Sequence, residues 1–377
     1  MLNRIGAALP HGVLAVVALA STFALASLAS PVSPAAWERP ASAVRDPASA
    51  ALLHVTAAGD GLVAVGERGL VLRSADAGRH WTQSPSPVSV TLTRALFVSS
   101  RTGWAVGHGG VILHSDDGGR QWRTQLDGVR AARLAMAAYP DDGAAPALAA
   151  AARRLVLDGA DKPFFDILFL DERNGFAVGA YGLAFRTADG GAHWTPWMAH
   201  LDNPEGLHLY GMARSGATLF IAGEQGLLLR STDGGARFTR VSTPYQGSYF
   251  GVVAPVGGDV YLYGLRGNLY RSGNGGAAWQ RMAAPSQASF SAALALTADS
   301  AVFADQAGRL YTAAAGDHAL RPVPAVAAAP YTAIARGADG AWVLTSLRGI
   351  SRVEPGVVPR IASRAPARAT IEQETIK

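Results

Sequence analysis

The sequence predicts an all-β chain closed into a seven-bladed β-propeller, and three observations predict it. First, a G-x-x-G step recurs, with its leading Gly at Gly66, Gly107, Gly179, Gly223 and Gly264. The frame continues at Asp305-x-x-Gly308 and Ser346-x-x-Gly349, where that Gly is lost. Second, the steps between these positions are 41, 72, 44, 41, 41 and 41 residues, so seven units share one period and one carries a large addition. Third, each of the first five steps opens onto an alternating apolar stretch that ends in a Ser/Thr-x-Asp/Asn-x-Gly turn, with an aromatic residue three places further on. A unit of this length holds four short strands, the size of a propeller blade. One such sheet leaves both faces bare. A closed ring of seven covers them and leaves only short edges.

The N-terminus sets the compartment. Arg4 is the only charged residue before Glu38, and 13–29 is apolar or small throughout. A cationic start, an apolar run and Ala24-Leu25-Ala26 at its end describe a cleavable secretory signal over 1–29. The alternative is an uncleaved anchor, since the run approaches the length of a membrane span. Both readings leave Arg4 inside and send the rest to a periplasmic or other extracytoplasmic location. Residues 30–49 then read as a linker and 50–355 as the propeller, with a C-terminal strand or tail over 356–377. In blade 1 the strands fall at 52–58, 61–66, 69–74 and 80–84.

The 72-residue step exceeds the period by 31 residues, placed between the last strand of blade 2 and the first strand of blade 3. There 129–139 is Ala-rich and stops at Pro140, while 146–157 begins on a Pro suited to a first helical turn and stops at Gly159. The segment 127–160 therefore reads as an inserted αα-hairpin. Its Leu134, Met136, Leu148 and Leu155 offer an apolar strip beside Arg130, Arg133, Arg153 and Arg154.

The box turns carry Asp76 and Trp81 in blade 1, Asp117 and Trp122 in blade 2, and Asp189 and Trp194 in blade 3. Blade 4 has Asp233 with Phe238, and blade 5 has Asn274 with Trp279. In blades 6 and 7 the box has decayed, with Ala313 and Glu354 at the Ser position. Asp and Ser side chains accept from turn N–H groups, Gly allows positive φ, and the aromatic packs the turn onto its sheet, so these residues read as structural. The residue before each box Ser/Thr is Arg73, His114, Arg186, Arg230 or Arg271. Strand alternation puts these on one face of each third strand. They either cap carbonyls and pair with a neighbouring Asp, or form an arginine patch for an acidic partner.

Function is expected on the face that carries the G-x-x-G turns, the blade-to-blade connections and the hairpin. The candidate binding residues there are Glu67, Arg68, His108, Tyr181, Asn203, Glu224, Tyr249 and Arg266. The rival reading is a solvated rim with a passive helical cap. No catalytic residue is assigned: G-x-S-x-G, Walker and H-E-x-x-H patterns are missing, and Glu67 with Glu224 is the one carboxylate pair on that face. No cofactor or metal is expected, because there is no Cys and the nine His lack ligand spacing. Nucleic acid is not an expected partner either. The net charge of +5 comes almost wholly from scattered Arg, Lys occurring only at Lys162 and Lys377.

The boxes resemble the Asp-box, or BNR, repeat. The whole cassette, with its R-S-x-D-G-G-x-x-W ending, is similar to the photosystem II stability/assembly-factor family of seven-bladed propellers over about 50–355. From blade 3 onward the chain also resembles the bacterial relatives that accompany RND/MMPL-type exporters. The segments carrying this are Asp161-Lys162-Pro163-Phe164, Asp202-Asn203-Pro204-Glu205-Gly206 and Gly247-Ser248-Tyr249-Phe250-Gly251. The resemblance implies an exported, non-catalytic assembly or accessory factor whose partner is a membrane-protein complex or envelope transporter. Its decayed sixth and seventh boxes depart from the family. The alternative, a glycan-processing or glycan-binding propeller of sialidase type, lacks the Arg-Ile-Pro segment of those enzymes.

Overall fold

The computed structural model describes residues 34–255, 259–324 and 327–355; the stretch 1–29 expected as a signal and the strand or tail expected over 356–377 lie outside the described residues. The described residues from Ala35 onward form one compact unit. It is a seven-bladed β-propeller of antiparallel sheets taken in chain order. Blade 1 comprises Leu52–Ala58, Gly61–Gly66, Val71–Ser74 and Thr82–Ser84. Blades 2 to 6 repeat this plan, their first strands being Leu92–Phe97, Phe164–Phe169, Leu209–Ser215, Tyr249–Val253 and Phe290–Thr297. Blade 7 has three strands among the described residues: Tyr331–Arg336, Trp342–Ser346 and Gly349–Val353. Each first strand packs on the first strand of the next blade, and that of blade 7 packs on blade 1, so the ring closes. Of the linker expected over 30–49, the described part from 34 onward lies against the outside of blade 1. Gln83 there accepts from Val44 N (2.9 Å) and donates to Ser42 O (2.9 Å).

The core consists of apolar plugs between successive blades. Leu52, Val55 and Leu62 of blade 1 meet Ala333, Ala335 and Val343 of blade 7. Trp104 of blade 2 meets Phe169 and Trp194 of blade 3. Each second strand is buried almost throughout because it lies mid-sheet with a blade on either side. The turn after it is tight. Arg68, Tyr181, Gln225 and Arg266 adopt left-handed φ of 52–57° in four of these turns. The next residue is Gly, and at Gly69 (φ +73°) a Cβ would fall 1.9 Å from Val88 O.

The boxes form as their composition requires. In blade 1, Ser74 Oγ accepts from Gly78 N (2.8 Å) and Asp76 Oδ1 accepts from Arg79 N (3.1 Å) and His80 N (2.9 Å). Trp81 Nε1 closes the turn on Gly78 O (3.1 Å). Blade 5 makes the same turn with Asn274 Oδ1 accepting from Ala278 N (2.8 Å). Trp122, Trp194 and Phe238 are buried, while Trp81 and Trp279 are half-buried. The backbone donors hold the box carboxylates ionised. Asp76 lies well below its ordinary value, and the N–H of His193 leads in drawing Asp189 from 3.8 down to about 2. A carboxylate with a depressed folded pKa adds stability that is complete above the unfolded pKa of about 4 and drains as pH falls toward 2. Asp189→Asn, which copies Asn274, is therefore expected to reduce the loss of urea-unfolding free energy between pH 5 and pH 2.5. An unchanged pH slope would remove the box from the acid response.

The residues ahead of the boxes do not make one ring. Arg73 Nε donates to Gly118 O (2.8 Å) and Arg230 Nη1 to Gly275 O (3.4 Å), each reaching the box turn of the following blade. Arg271 pairs with Asp259 of its own blade (2.6 Å). Arg186 lies over the Trp197 ring at 4.7 Å, and His114 against Trp104 at 5.1 Å. Two of these groups are spent on seams between blades and the other three on partners within their own blade, which favours the structural reading. Blade 7 also corrects the frame. Ser346 pairs directly with Gly349 across a two-residue turn, whereas the other turns hold three, so the third strand shifts by one. Arg352, not its neighbour, takes the place of Arg73, donating to Ala77 O (3.1 Å) and joining blade 7 to blade 1.

Candidate binding face and central channel

Every first strand carries a β-bulge at its second residue, seen as a register shift in all seven blades. The first residue of each strand is buried, while the bulge re-aims the next two side chains toward the following blade around the channel. The bulged residues are Leu53, Thr93, Phe165, Tyr210, Phe250, Ser291 and Thr332. Three are hydroxyl ties. Thr93 donates to Phe164 O (2.7 Å), Ser291 to Tyr331 O (2.6 Å) and Thr332 to Leu52 O (2.8 Å).

Blades 3 to 5 replace the ties with aromatics. The Phe165 and Tyr210 rings lie 5.5 Å apart, and Tyr210 meets Phe250 edge-on at 5.8 Å. His208 extends the arc outward, 6.0 Å from Tyr210 and 4.7 Å from Tyr181. Tyr181 is 61% exposed, with Lys162 Nζ 4.9 Å from its ring centre. A half-buried aromatic strip thus runs from the rim of blade 3 to the channel mouth.

At its outer end the strip meets the hairpin. Helix α1 spans Gly128–Ala138, capped by Asp127, which accepts from Arg130 N (2.8 Å); helix α2 spans Pro146–Asp158. Small residues let the helices close on each other at Ala135 and Ala152, with Tyr139 beneath. Leu134, Met136, Leu148 and Leu155 pack partly buried against this contact and the blade 2–3 core, so the apolar strip expected on the hairpin faces mostly inward, Leu148 alone also lining open space. What the hairpin leaves open is a groove of about 440 Å³, lined by Pro146, Leu148 and Ala151 on one side and Tyr181, Met198 and Leu201 on the other.

The expected site residues part company. Glu67, Arg68, His108, Tyr181 and Arg266 are exposed on this face. Asn203 is spent closing its own loop, accepting from Leu207 N (3.0 Å) and donating to Leu207 O (2.9 Å). Tyr249, expected in a loop, is fully buried between Tyr245 and Tyr270, and burial pushes its hydroxyl up to about 12. Glu224 accepts from His208 N (3.2 Å), three blades round the ring from Glu67, so the two do not form a glycosidase pair.

The residues after the bulge face the channel seams: His54, Arg94, Asp166, Gly211, Gly251, Ala292 and Ala333. Asp166 accepts from Ile167 N (2.8 Å) and Met212 N (2.7 Å), and pairs with Arg94 Nε (3.0 Å). Burial pushes its carboxyl up, with Arg94 the first opposing influence. Sequence reading missed both this trio and the aromatic arc. The available signal was a column 13 or 14 residues before each repeat's leading position, where Thr and Ser give way to Phe and Tyr.

Fold and turns together define a class: a seven-bladed propeller of Asp-box repeats. The model of the photosynthesis system II assembly factor YCF48 family matches residues 147–353, more than half of the chain, and the chain belongs to that family. No curated protein matches its sequence. Among solved structures, YCF48 bound to D1 peptide is similar at 15% identity and a TM-score of 0.59, over 84% of this chain and 99% of that one. YCF48 from Cyanidioschyzon merolae gives 14% and 0.59, over 85% and 100%. A Niastella koreensis GH74 enzyme gives 11% and 0.58, over 81% of this chain and 52% of that one. At such identities the likeness concerns the fold, which hosts binding and catalysis alike.

Proposed function

We propose that this chain is an exported, non-catalytic propeller that docks a membrane-protein complex, an envelope transporter of the RND type, and assists its assembly or operation. The family supports the assembly role, and a YCF48 structure holds a D1 peptide, a segment of another protein. The observation that carries the reading to this chain is the aromatic strip with the apolar groove at its end. Rigid, half-exposed aromatics beside an apolar cleft are what a protein interface uses as anchors. The three segments resembling exporter-associated relatives converge there. Lys162 lies over Tyr181, 202–206 edges the groove, and Phe250 ends the arc. The Arg4-led apolar run supports an extracytoplasmic setting.

The test is affinity recovery from detergent-solubilised envelopes, read by mass spectrometry. Wild type is expected to recover a membrane transporter. Tyr210→Ala/Phe250→Ala, with an unchanged β-type circular dichroism spectrum, is expected to lower that recovery about tenfold or more. Equal recovery would move the docking surface elsewhere, and wild type that recovers no membrane protein would overturn the role.

A further inference from the structure

We infer that the central channel holds a second binding site, for a small carboxylate, with His54, Arg94 and Tyr263 as its donors. The site is distinct from the aromatic strip and does not rest on the proposed partner. A cavity of about 280 Å³ lies inside the ring, lined by these three residues and by the inner strands of blades 6, 7 and 1. At one level of the channel the blades contribute His54, Arg94, Asp166, Gly211, Gly251, Ala292 and Ala333. One arc is polar and the remainder small, so the polar arc faces open space.

The hydrogen bonding decides what the space accepts. His54 Nδ1 receives Ala95 N at 3.4 Å. A backbone N–H only donates, so the ring proton sits on Nε2, which is left as a donor. Burial and the Arg94 charge hold the imidazole neutral, its pKa well below the ordinary value. Arg94 Nε stands 3.0 Å from Asp166 Oδ1 as an ion pair without hydrogen-bond geometry, while its side chain remains 37% exposed and its terminal nitrogens stay available. Both Asp166 oxygens are occupied by Ile167 N, Met212 N and Arg94. Tyr263 reaches in over Gly251, where a Cβ would stand 2.2 Å from its hydroxyl, and that hydroxyl has no partner among the described residues. These three donors line one cavity, and the Ser291 and Thr332 hydroxyls beside them already give their protons to carbonyls, which favours an acceptor-rich, anionic ligand. One guanidinium already balanced by Asp166 suits a monoanion better than a phosphate. Arg336 stands at the same opening and attracts negative charge. The volume lies just under the usual range for ligand pockets, about 300–1,000 Å³, so the ligand is a small acid or the end of a chain.

Titration calorimetry with acetate, succinate and inorganic phosphate tests this, together with a tetrapeptide carrying a free or an amidated C-terminus. Binding of a carboxylate probe is expected, with phosphate weaker. Preference for the free-ended peptide assigns the site to a chain terminus, and binding of the small acids alone assigns it to a free metabolite. Tyr263→Phe is expected to weaken binding about tenfold with an unchanged unfolding midpoint, because the lost hydroxyl has no other partner. Arg94→Lys keeps a charge opposite Asp166, loses the fork, and is expected to weaken binding too. No heat with any carboxylate, equal binding of free and amidated peptide, or unaltered affinity in either variant would overturn the inference.

Discussion

Trp104→Ala is expected to cost about 3–5 kcal/mol of unfolding free energy, more than loss of any box aromatic. Trp104 sits on the second strand of blade 2 and is fully buried. Its ring stacks on Phe169 of blade 3 at 3.5 Å and 10°, and its Nε1 donates to Gly190 O (3.3 Å) in the box turn of blade 3. Removing it empties space between two blades and leaves Phe169 without its stacking face. The blades cannot collapse into the gap, because the bulge ties and first-strand contacts fix their spacing. Trp122 is the comparison. It is 8% exposed, meets Phe97 of its own blade edge-on at 5.9 Å, and bonds its own turn at Gly119 O (3.2 Å). It also joins the plug between blades 1 and 2, but at a slightly exposed edge and with its Nε1 bonded within its own turn, so about 2–3 kcal/mol is expected. Urea unfolding of both variants checks the order. Equal losses would mean that the stacking on Phe169 and the bond to Gly190 add nothing beyond apolar burial.

That contrast shows what the repeat made legible. A 41-residue period with a turn signature reports on the blade as a unit, so the seven sheets, the box turns and the position of the inserted hairpin could be read from spacing. Side chains that act between blades obey a different rule. Arg73 and Arg230 look alike in the frame as Arg186 and Arg271 do, yet only the first two reach the next box turn. The partner of each depends on what the adjacent blade offers. Arg186 finds Trp197, and Arg271 finds Asp259. Arg352 escaped because a turn one residue shorter moved it out of frame. Tyr249 was misplaced for a related reason: it begins a strand whose first residue points into the core, and the bulge after it sends Phe250 to the channel instead. Periodicity cannot show a bulge, since alternation on either side of it looks intact.

The channel ion pair gives the second large effect. Asp166→Ala is expected to cost about 3–5 kcal/mol, and Arg94→Ala about 1–3 kcal/mol. The asymmetry follows from exposure and partners. Asp166 is 4% exposed and satisfies two inner-strand N–H groups, one of them in blade 4, as well as Arg94 of blade 2. Its removal strands both N–H groups. Arg94, at 37% exposed, can return its charge to water. Loss of Arg94 instead leaves a buried carboxyl whose pKa already lies above its ordinary value through burial, now without its first opposing charge. That carboxyl escapes by taking a proton. A folded pKa raised above the unfolded one costs stability at neutral pH, and the cost is relieved as pH falls through the folded value toward the unfolded one near 4. The deficit of Arg94→Ala relative to wild type is therefore expected to shrink on acidification from pH 7.5 to pH 4.5, while that of Asp166→Ala is expected to widen slightly, because wild type alone recovers stability as its raised carboxyl takes a proton. The double variant is expected to match Asp166→Ala within about 1 kcal/mol, because Arg94 has nothing left to oppose once the carboxylate is gone. Strictly additive losses with no pH dependence would mean that the pair is held open by water and contributes little to holding blades 2, 3 and 4 together.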